Sequence, residues 1–521
     1  MILLIQYYRN QIQKIYIHKN DQWTIDDNHT GVGPIKYLQQ FYQNNNVSLP
    51  FKRLAWLYSD KKFLSDRTLD AFICNDLKPT SLKFFEPHTE ILENNPIGIA
   101  YFSSPAMIKR NNMFNFTSWY HLGSTGMISG ELIKWDDLSK HPDDFILFLL
   151  RLSFALYKNG GAVQHDTLLG VSEVKTLSKD DIQRINYKFI NAVGSLRQKL
   201  FYLLRFPKFD GIVKYFGSVN VADGLSIQQI KKINQHYLAS AKQFSTTYDV
   251  IIPTLGRAQW LKKVLKDLSE QTLKPANVII IEQVIGNNLN TELDFLLNTD
   301  GYKFNIIHKV INQLGACNAR NLALENVVSE WVFFADDDIE ISHDSCEKAL
   351  LMCEKLEIDC LNVAVFQKNE NLIEQDIPVL WESFGSGCTF VRKKTVSNLR
   401  FDLNFEFGYG EDTDFGHQIR NLGTNIFYTT HVSFLHHKAP IGGFRYKHVQ
   451  EWLDEKIEPK PSPTVLYNIL KWSSEYQVQG YKWFYFLKRL KKEPFRLFTI
   501  FKQWNISMKW ANILLERISE D

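Results

Sequence analysis

From Tyr248 onward, short β-branched runs alternate with amphipathic stretches, and this alternation constrains the fold more than any other feature of the chain. Asp249 to Pro253 reads as a buried strand, Ala258 to Gln271 as a helix, and Asn277 to Glu282 as a second strand. Phe304 to Ile311 reads as a third strand and Ala316 to Val327 as a helix. Trp331 to Ala335 is a fourth strand running directly into Asp336, Asp337 and Asp338. Such alternation predicts an α/β domain with a parallel sheet. Ligands of these sheets bind beyond the carboxyl ends of the strands, where Thr254, Glu282 and Asp336 all fall.

A chain of 521 residues is too long for one hydrophobic core, so more than one domain is expected. Lys and Arg number 60 against 57 Asp and Glu, a balance that gives no reason to expect a nucleic-acid partner. Six cysteines are too sparse for a disulfide framework and fit a reducing compartment. Cys346, Cys353 and Cys360 recur every seven residues, which on a helix puts neighbours ~10 Å apart, too far to share a metal. They read as packing residues. The opening Met1 to Gln6 carries no basic leader, so no secretory signal is expected. Phe145 to Tyr157 is the longest apolar stretch; it contains Arg151 and falls short of the ~20 residues of a spanning helix.

The first half parallels the second at three places, in order. Ala55 to Lys62 matches Trp331 to Asp338, an aromatic strand ending in a polar cluster. Trp119 to Ser124 matches Trp381 to Ser386, and Asp144 to Gly160 matches Asp414 to Gly423. A diverged duplication accounts for the shared order, against chance recurrence of Trp-x-x-x-Gly-Ser. Residues 179 to 245 have helical periodicity broken near Pro207 and Gly211, as in a helical connector. Beyond Tyr446, Pro459 to Pro463 punctuates the chain before helices rich in Trp, Phe and Lys.

Two acidic clusters carry the chemistry. Three carboxylates at the end of a buried strand repel one another and call for a cation, and their hard oxygen atoms suit Mg²⁺ or Mn²⁺ bound with a diphosphate. A solvated acidic turn capping the next helix is the alternative. The second cluster is Phe407 to Phe415, where glycines permit close backbone approach and Glu411 and Asp412 begin a helix. One of these carboxylates suits the role of general base, although acidic caps are common at helix starts.

Residues 248 to about 445 resemble the family 2 glycosyltransferases of GT-A fold. The matching features are Ile251 to Arg257, Glu282, Gly315 to Asn321, Asp336 to Asp338, Gly410 to Asp412, and His436. The Gly-x-Gly-Glu-Asp stretch with its later histidine is also similar to galactosyltransferase C-terminal domains. The resemblance implies an inverting transferase that moves a sugar from a nucleotide-diphosphate donor, UDP-linked, to a glycan or lipid-linked hydroxyl in surface polysaccharide synthesis. Pro253, Thr254, Arg257 and Glu282 would then meet the nucleoside, Gly315 and Arg320 the diphosphate, and Asp336 and Asp337 the donor. Asp338, Asp336 and His436 would hold Mn²⁺ or Mg²⁺, with His437 as the alternative to His436. Asp412 would be the base and Glu411 the runner-up. Trp381, Gly385 and Ser386 would form an acceptor wall, unless Trp381 is core. Rival functions are a nucleotidyltransferase and a non-catalytic carbohydrate-binding protein.

The expected organisation is a degenerate GT-A-like domain (1–178), a helical connector (179–245), a catalytic GT-A domain (246–445) and a helical tail (446–521). In the first half Asp60-Lys61-Lys62 replaces the aspartate cluster and His141-Pro142 stands near the place of Glu411-Asp412, so that half should bind no metal-diphosphate donor. The tail interleaves Trp472, Trp483, Phe484, Trp504 and Trp510 with Lys482, Lys488, Arg489, Lys491, Lys492 and Lys509. That pattern fits either a helical core or peripheral attachment of a cytoplasmic enzyme to the inner face of a membrane.

Overall fold

The computed structural model describes residues 1–44, 53–74, 81–84, 116–120, 125–132, 144–158, 161–165, 175, 177–205, 245–286, 289–297, 301–370, 377–438 and 450–517. His141-Pro142 and the 206–244 part of the expected connector lie outside the described residues. The chain forms two compact units, Met1–Asn234 with Ser473–Lys488, and Gln235–Trp472 with Arg489–Asp521.

The first unit contains β1 (Ile2–Tyr8), β2 (Gln11–Lys19), β3 (Gln22–Asp26), α1 (Pro34–Asn44), β4 (Arg53–Tyr58), α2 (Asp66–Cys74), β5 (Ser81–Phe84), β6 (Phe116–Thr117), β7 (Thr125–Ser129), α3 (Phe145–Lys158), β8 (Ala162–His165), α4 (Lys179–Val193) and α5 (Leu196–Arg205). Its sheet order is β3-β2-β1-β4-β7-β5-β8-β6. Residues 179–205 of the expected connector belong to this unit. Phe189 of α4 stacks on buried Trp119 at 5.2 Å, and Tyr120 donates to Asn186 at 2.9 Å, so α4 closes the unit's core.

The second unit contains β9 (Tyr248–Leu255), α6 (Ala258–Glu270), β10 (Asn277–Gln283), β11 (Asn305–Ile311), α7 (Ala316–Leu324), β12 (Trp331–Ala335), β13 (Ile339–Glu340), α8 (Ser345–Leu356), β14 (Cys360–Phe366), β15 (Val379–Leu380), β16 (Cys388–Arg392), α9 (Lys393–Val396), α10 (Glu411–Asn421) and β17 (Phe427–His436). Helices α11 (Pro463–Trp472), α12 (Glu475–Lys492) and α13 (Leu497–Arg517) follow, with α12 through Lys488 grouped with the first unit. The sheet order is β11-β10-β9-β12-β16-β14-β17-β13, with β15 also paired to β17. Strands β11, β10, β9 and β12 are parallel, as the near-continuous apolar runs of β9, β10 and β12 predict. Alternate residues Val250, Ile252, Val278, Ile280 and Phe333 bury one face against Leu261, Val264, Leu265 and Leu268 of α6. Cys346 and Cys353 of α8 and Cys360 of β14 are buried and free, and burial pushes their thiols up.

The two sheets share one half of their topology. In each, a strand parallel to the first (β4, β12) pairs with an antiparallel strand (β7, β16), then with β5 or β14, then with a parallel β8 or β17. The short strands β6 and β15, each just before the Trp119 or Trp381 motif, pair antiparallel with β8 and β17. Helices α3 and α10 precede β8 and β17 in turn. In their described residues, the three sequence parallels therefore occupy the same topological places in both units. The other half differs: β1 is flanked by the antiparallel meander β2-β3, where β9 is flanked by parallel β10 and β11. At the end of β4, Asp60 is ion-paired with Lys175, a protein cation beside the position where the second unit gathers carboxylates.

The tail aromatics divide. The Trp472 indole donates to Asp414 at 2.7 Å, Trp504 is buried, and the Trp510 indole donates to Glu455 at 2.8 Å. These three are packing residues. Trp483 is exposed, and the most exposed apolar groups of the tail lie at the α12–α13 corner, with Phe495 at 99% and Phe498 at 72%. No described helix is long and apolar enough to cross a membrane.

Candidate active site

At the carboxyl ends of β9 and β12 the chain opens a cavity of about 640 Å³. Its walls carry Asp336, Asp337, Asp338, His436, Glu411 and Asp412, so both acidic clusters of the sequence meet in one space. Pro253, Thr254, Arg257, Gly315, Arg320, Gly385 and Ser386 line it as well.

The three aspartates have different tasks. Asp337 is buried and accepts from the Thr254 hydroxyl at 2.6 Å and from Arg257 at 2.6 Å. Burial pushes its carboxyl up to about 6, opposed by the Arg257 charge and the Thr254 hydroxyl. Thr254 and Arg257, expected at the nucleoside, thus hold Asp337 and tie the end of β9 to the end of β12. Asp338 and Asp336 flank it. Oδ1 of Asp338 is 3.1 Å from Nε2 of His436, which β17 delivers through the β13–β17 pairing Ile339 to His436. Asp336, Asp338 and His436 offer one ligand atom each, all within 4.8 Å of one another. His437 turns away to Glu340 at 3.1 Å and to the Trp260 ring. Of the two histidines, His436 is the one placed among the carboxylates.

Backbone approach sets the position of Asp336. A Cβ at Gly387 would lie 2.2 Å from its Oδ2, so any side chain there would displace the carboxylate. Arg320 of α7 reaches Asp336 Oδ1 at 3.4 Å, stacks over Phe401, and leaves its Nε buried without a hydrogen-bond partner.

Glu411 and Asp412 start α10. Below them Phe415 stacks on Phe401 at 4.1 Å and meets Phe384 and Phe334, the latter two residues before Asp336. A side chain at Gly416 would place its Cβ 3.0 Å from the Phe384 backbone nitrogen, so glycine lets α10 lie against the 384–387 turn. Burying each phenylalanine contributes about 1.5–3 kcal/mol, enough to fix this wall to the one that carries Asp336. Ser386 offers its hydroxyl and its amide to Asp412, and the other oxygen, Oδ1, is buried with no hydrogen-bond partner. Burial raises the Asp412 carboxyl. Burial and the neighbouring Asp412 push Glu411 up to about 7.

Residues 249–405 match the family model described as glycosyl transferase family 2. The chain carries a family 2 glycosyltransferase domain. Its fold is GT-A. The matched segment includes Asp336 to Asp338 and ends before Glu411, Asp412 and His436. Among relatives, an uncharacterized glycosyltransferase of Haemophilus influenzae is 26% identical over 106 residues, covering 20% of this chain and 34% of the relative. The minor teichoic acid biosynthesis protein GgaB of Bacillus subtilis is 22% identical over 185 residues, covering 32% of this chain and 20% of its own length. The chain therefore spans about a third or less of either relative. Similar solved structures include S. aureus TarS 1-349 in complex with UDP-GlcNAc, at TM-score 0.34 and 16% identity over 43% of this chain and 64% of that one. GalNAc-T7 with UDP, GalNAc and Mn²⁺ aligns at TM-score 0.32 and 12% identity over 37% of this chain and 44% of its own.

Two residues expected to touch substrates, Glu282 and Trp381, are not among the residues that line the cavity. Glu282 is buried, and its oxygens accept from Thr291 at 2.7 Å and the Glu292 amide at 2.7 Å and meet His308 at 2.8 Å. It organises the segment after β10, while its neighbour Gln283 lines the cavity and accepts from the Gly315 amide at 2.6 Å. Trp381 stacks on Tyr428 at 4.6 Å, half-exposed and away from the cavity lining. Two charged lining residues were not anticipated. Glu406 accepts from the Cys317 and Asn318 amides at the start of α7, at 3.1 and 2.9 Å. Lys438 places a cation two residues beyond His436. The signal for Glu406 lay in its position immediately before the Phe407 to Phe415 cluster.

Proposed function

We propose that the second unit transfers a sugar, with inversion, from a nucleotide-diphosphate donor to a hydroxyl of a glycan or lipid-linked acceptor. The observation that carries this reading is that the Asp336–Asp338–His436 group and the Glu411–Asp412 pair face one cavity. Two carboxylates and an imidazole fit Mn²⁺, and Mg²⁺ less closely because of the nitrogen donor. When bound, the ion would offset charge on the departing diphosphate. Arg320 and Lys438 add fixed positive charge on the same walls, and Asp337 keeps Arg257 and the end of β12 in place. Asp412 Oδ1, with no internal donor, accepts the acceptor hydroxyl's proton as the new C1–oxygen bond forms and the C1–phosphate oxygen bond breaks. The donor is UDP-linked, as the family resemblance implies, and the GgaB relationship supports a surface polysaccharide as product.

Incubation of the chain with a panel of nucleotide sugars and Mn²⁺ tests the reading through the product released. Nucleoside diphosphate supports sugar transfer; pyrophosphate would make the chain a nucleotidyltransferase, and no turnover would leave only binding. The first unit takes no donor in this scheme, because Lys175 already pairs with Asp60 and the β10–β11 half of the sheet is replaced. Asp60→Asn is expected to leave turnover and nucleotide affinity unchanged. A loss comparable to that from Asp336→Asn, in folded protein, would refute the division of labour.

The acceptor side of the proposal includes a membrane surface. Phe495, Leu497 and Phe498 project at the α12–α13 corner beside Lys491, Lys492, Arg496 and Lys502, a pattern suited to an anionic lipid interface. Sedimentation with anionic vesicles is expected at low salt and should weaken at high salt. Phe495→Ser with Phe498→Ser should abolish it without changing hydrolysis of the soluble donor. Absence of vesicle binding by the full chain would remove this part of the proposal.

A further inference from the structure

Helix α11 lies beyond the matched family segment, yet its polar side chains all converge on the stretch that presents Glu411 and Asp412. Thr464 accepts from the Tyr409 amide at 3.1 Å, and Asn468 donates to the Gly410 carbonyl at 3.3 Å, immediately before the pair. Lys471 bridges two carboxylates on either side of it, Asp402 at 2.7 Å and fully buried Asp414 at 2.7 Å. The Tyr467 hydroxyl donates to Asp402 and the Trp472 indole to Asp414. The Trp472 ring also stacks on His417 of α10. Behind it, α11 is held by α13, whose Ser507 hydroxyl donates to the Pro461 carbonyl at 2.6 Å.

We propose that α11 is a positioning brace for the Glu411–Asp412 pair, with Lys471 and Trp472 as its principal positioning residues. This rests on the transferase reading above and extends it from the cavity walls to the tail. The physical argument is one of order. Asp412 is set on its two sides by different elements: the Ser386 turn on the cavity side and, through Asp414 one half-turn on, α11 on the far side. A single ammonium between two carboxylates fixes both ends of the 402–414 stretch at once, and losing it releases the stretch without touching the metal-facing wall. No α11 side chain lines the cavity, so the brace acts on the rate through geometry alone.

The test separates rate from donor binding. Lys471→Met would leave buried Asp414 and partly buried Asp402 without their shared cation, so it is paired with Asp402→Asn to remove one of the two charges, and Trp472→Phe is made separately to keep the stacked ring while removing the indole donor. A misplacement of the base by about 1 Å lowers rate by roughly 10²-fold. Both variants are therefore expected to lose between about tenfold and 10²-fold in kcat, while the donor KM and the affinity for UDP with Mn²⁺ stay unchanged and thermal unfolding stays cooperative. Lys471→Arg, which keeps the cation, should recover part of the rate. Unchanged kcat in both folded variants would overturn the proposal, as would UDP affinity falling in step with kcat, the mark of a loosened domain. A wild-type chain that releases no nucleoside diphosphate from any donor would instead overturn the transferase reading, and the brace with it.

Discussion

Replacing Asp338 by alanine is expected to abolish metal-dependent nucleotide binding and to lower turnover by about 10³-fold or more, since a bound metal supplies several kcal/mol of charge stabilisation. Asp338 contributes one of three clustered donor groups, and its buried oxygen is the one already oriented by His436. The fold should survive, because Arg257 keeps its closer bond to Asp337, which in turn keeps Thr254, so the link between β9 and β12 does not pass through Asp338. Titration of UDP into the variant with and without Mn²⁺, alongside its circular dichroism, reads both halves of the expectation. Asp337→Asn provides the contrast. It weakens the Arg257 contact in the buried link, so it should lower thermal stability more than Asp338→Ala does. Full activity in folded Asp338→Ala would sink the metal assignment.

What the sequence made legible, and what it hid, follows from the range of the interactions. Parallel strands buried on both faces must be apolar throughout, so β9, β10 and β12 could be read from local composition, and the aspartates after β12 stood out against them. The three parallels between the halves were legible for the same reason, each being a strand end or helix start. The altered half of the first sheet was not, because which strands flank β1 is decided by its long-range pairing with β2 and by that of β2 with β3, not by the composition of β1 itself. Glu282 was expected at the nucleoside; its contact with His308, 26 residues on in the next strand, is one that nothing local in the sequence reveals. The stacking of Trp381 on Tyr428, which arrives from β17, was likewise hidden from the local sequence. The tail was the least decided part. Its aromatic and basic composition fits a membrane and a packed helix equally, and only the fold sends Trp472 to Asp414 and Trp510 to Glu455 while leaving Phe495 and Phe498 outside.

The acidic pair at the start of α10 carries the other large effect, and pH distinguishes its members. Asp412→Asn keeps the shape and the Ser386 contacts but cannot take a proton, so transfer should fall by about 10²-fold or more with donor affinity little changed. In the native pair both carboxyls are raised, Asp412 by burial and the Asp336 charge, and Glu411 to about 7 by burial and the Asp412 charge. A raised carboxyl stays protonated, and therefore unable to accept a proton, until the pH passes its shifted value. Transfer should accordingly be low in acid, rise about tenfold per pH unit and level off above about 7, with the two groups titrating as a pair rather than singly. Glu411→Gln removes a like charge beside Asp412. If Asp412 takes the proton, that change lowers its acidity threshold, so the rising limb should move to lower pH while the plateau rate is largely kept. If Glu411 takes it, the same variant loses the plateau instead, and Asp412→Asn moves the limb. Rates of nucleoside diphosphate release for the wild type and the two variants, measured with acceptor and saturating Mn²⁺ across pH 5 to about 9, assign the base. A limb that stays in place in both variants would mean that neither carboxylate controls the proton, and would remove the pair from the mechanism.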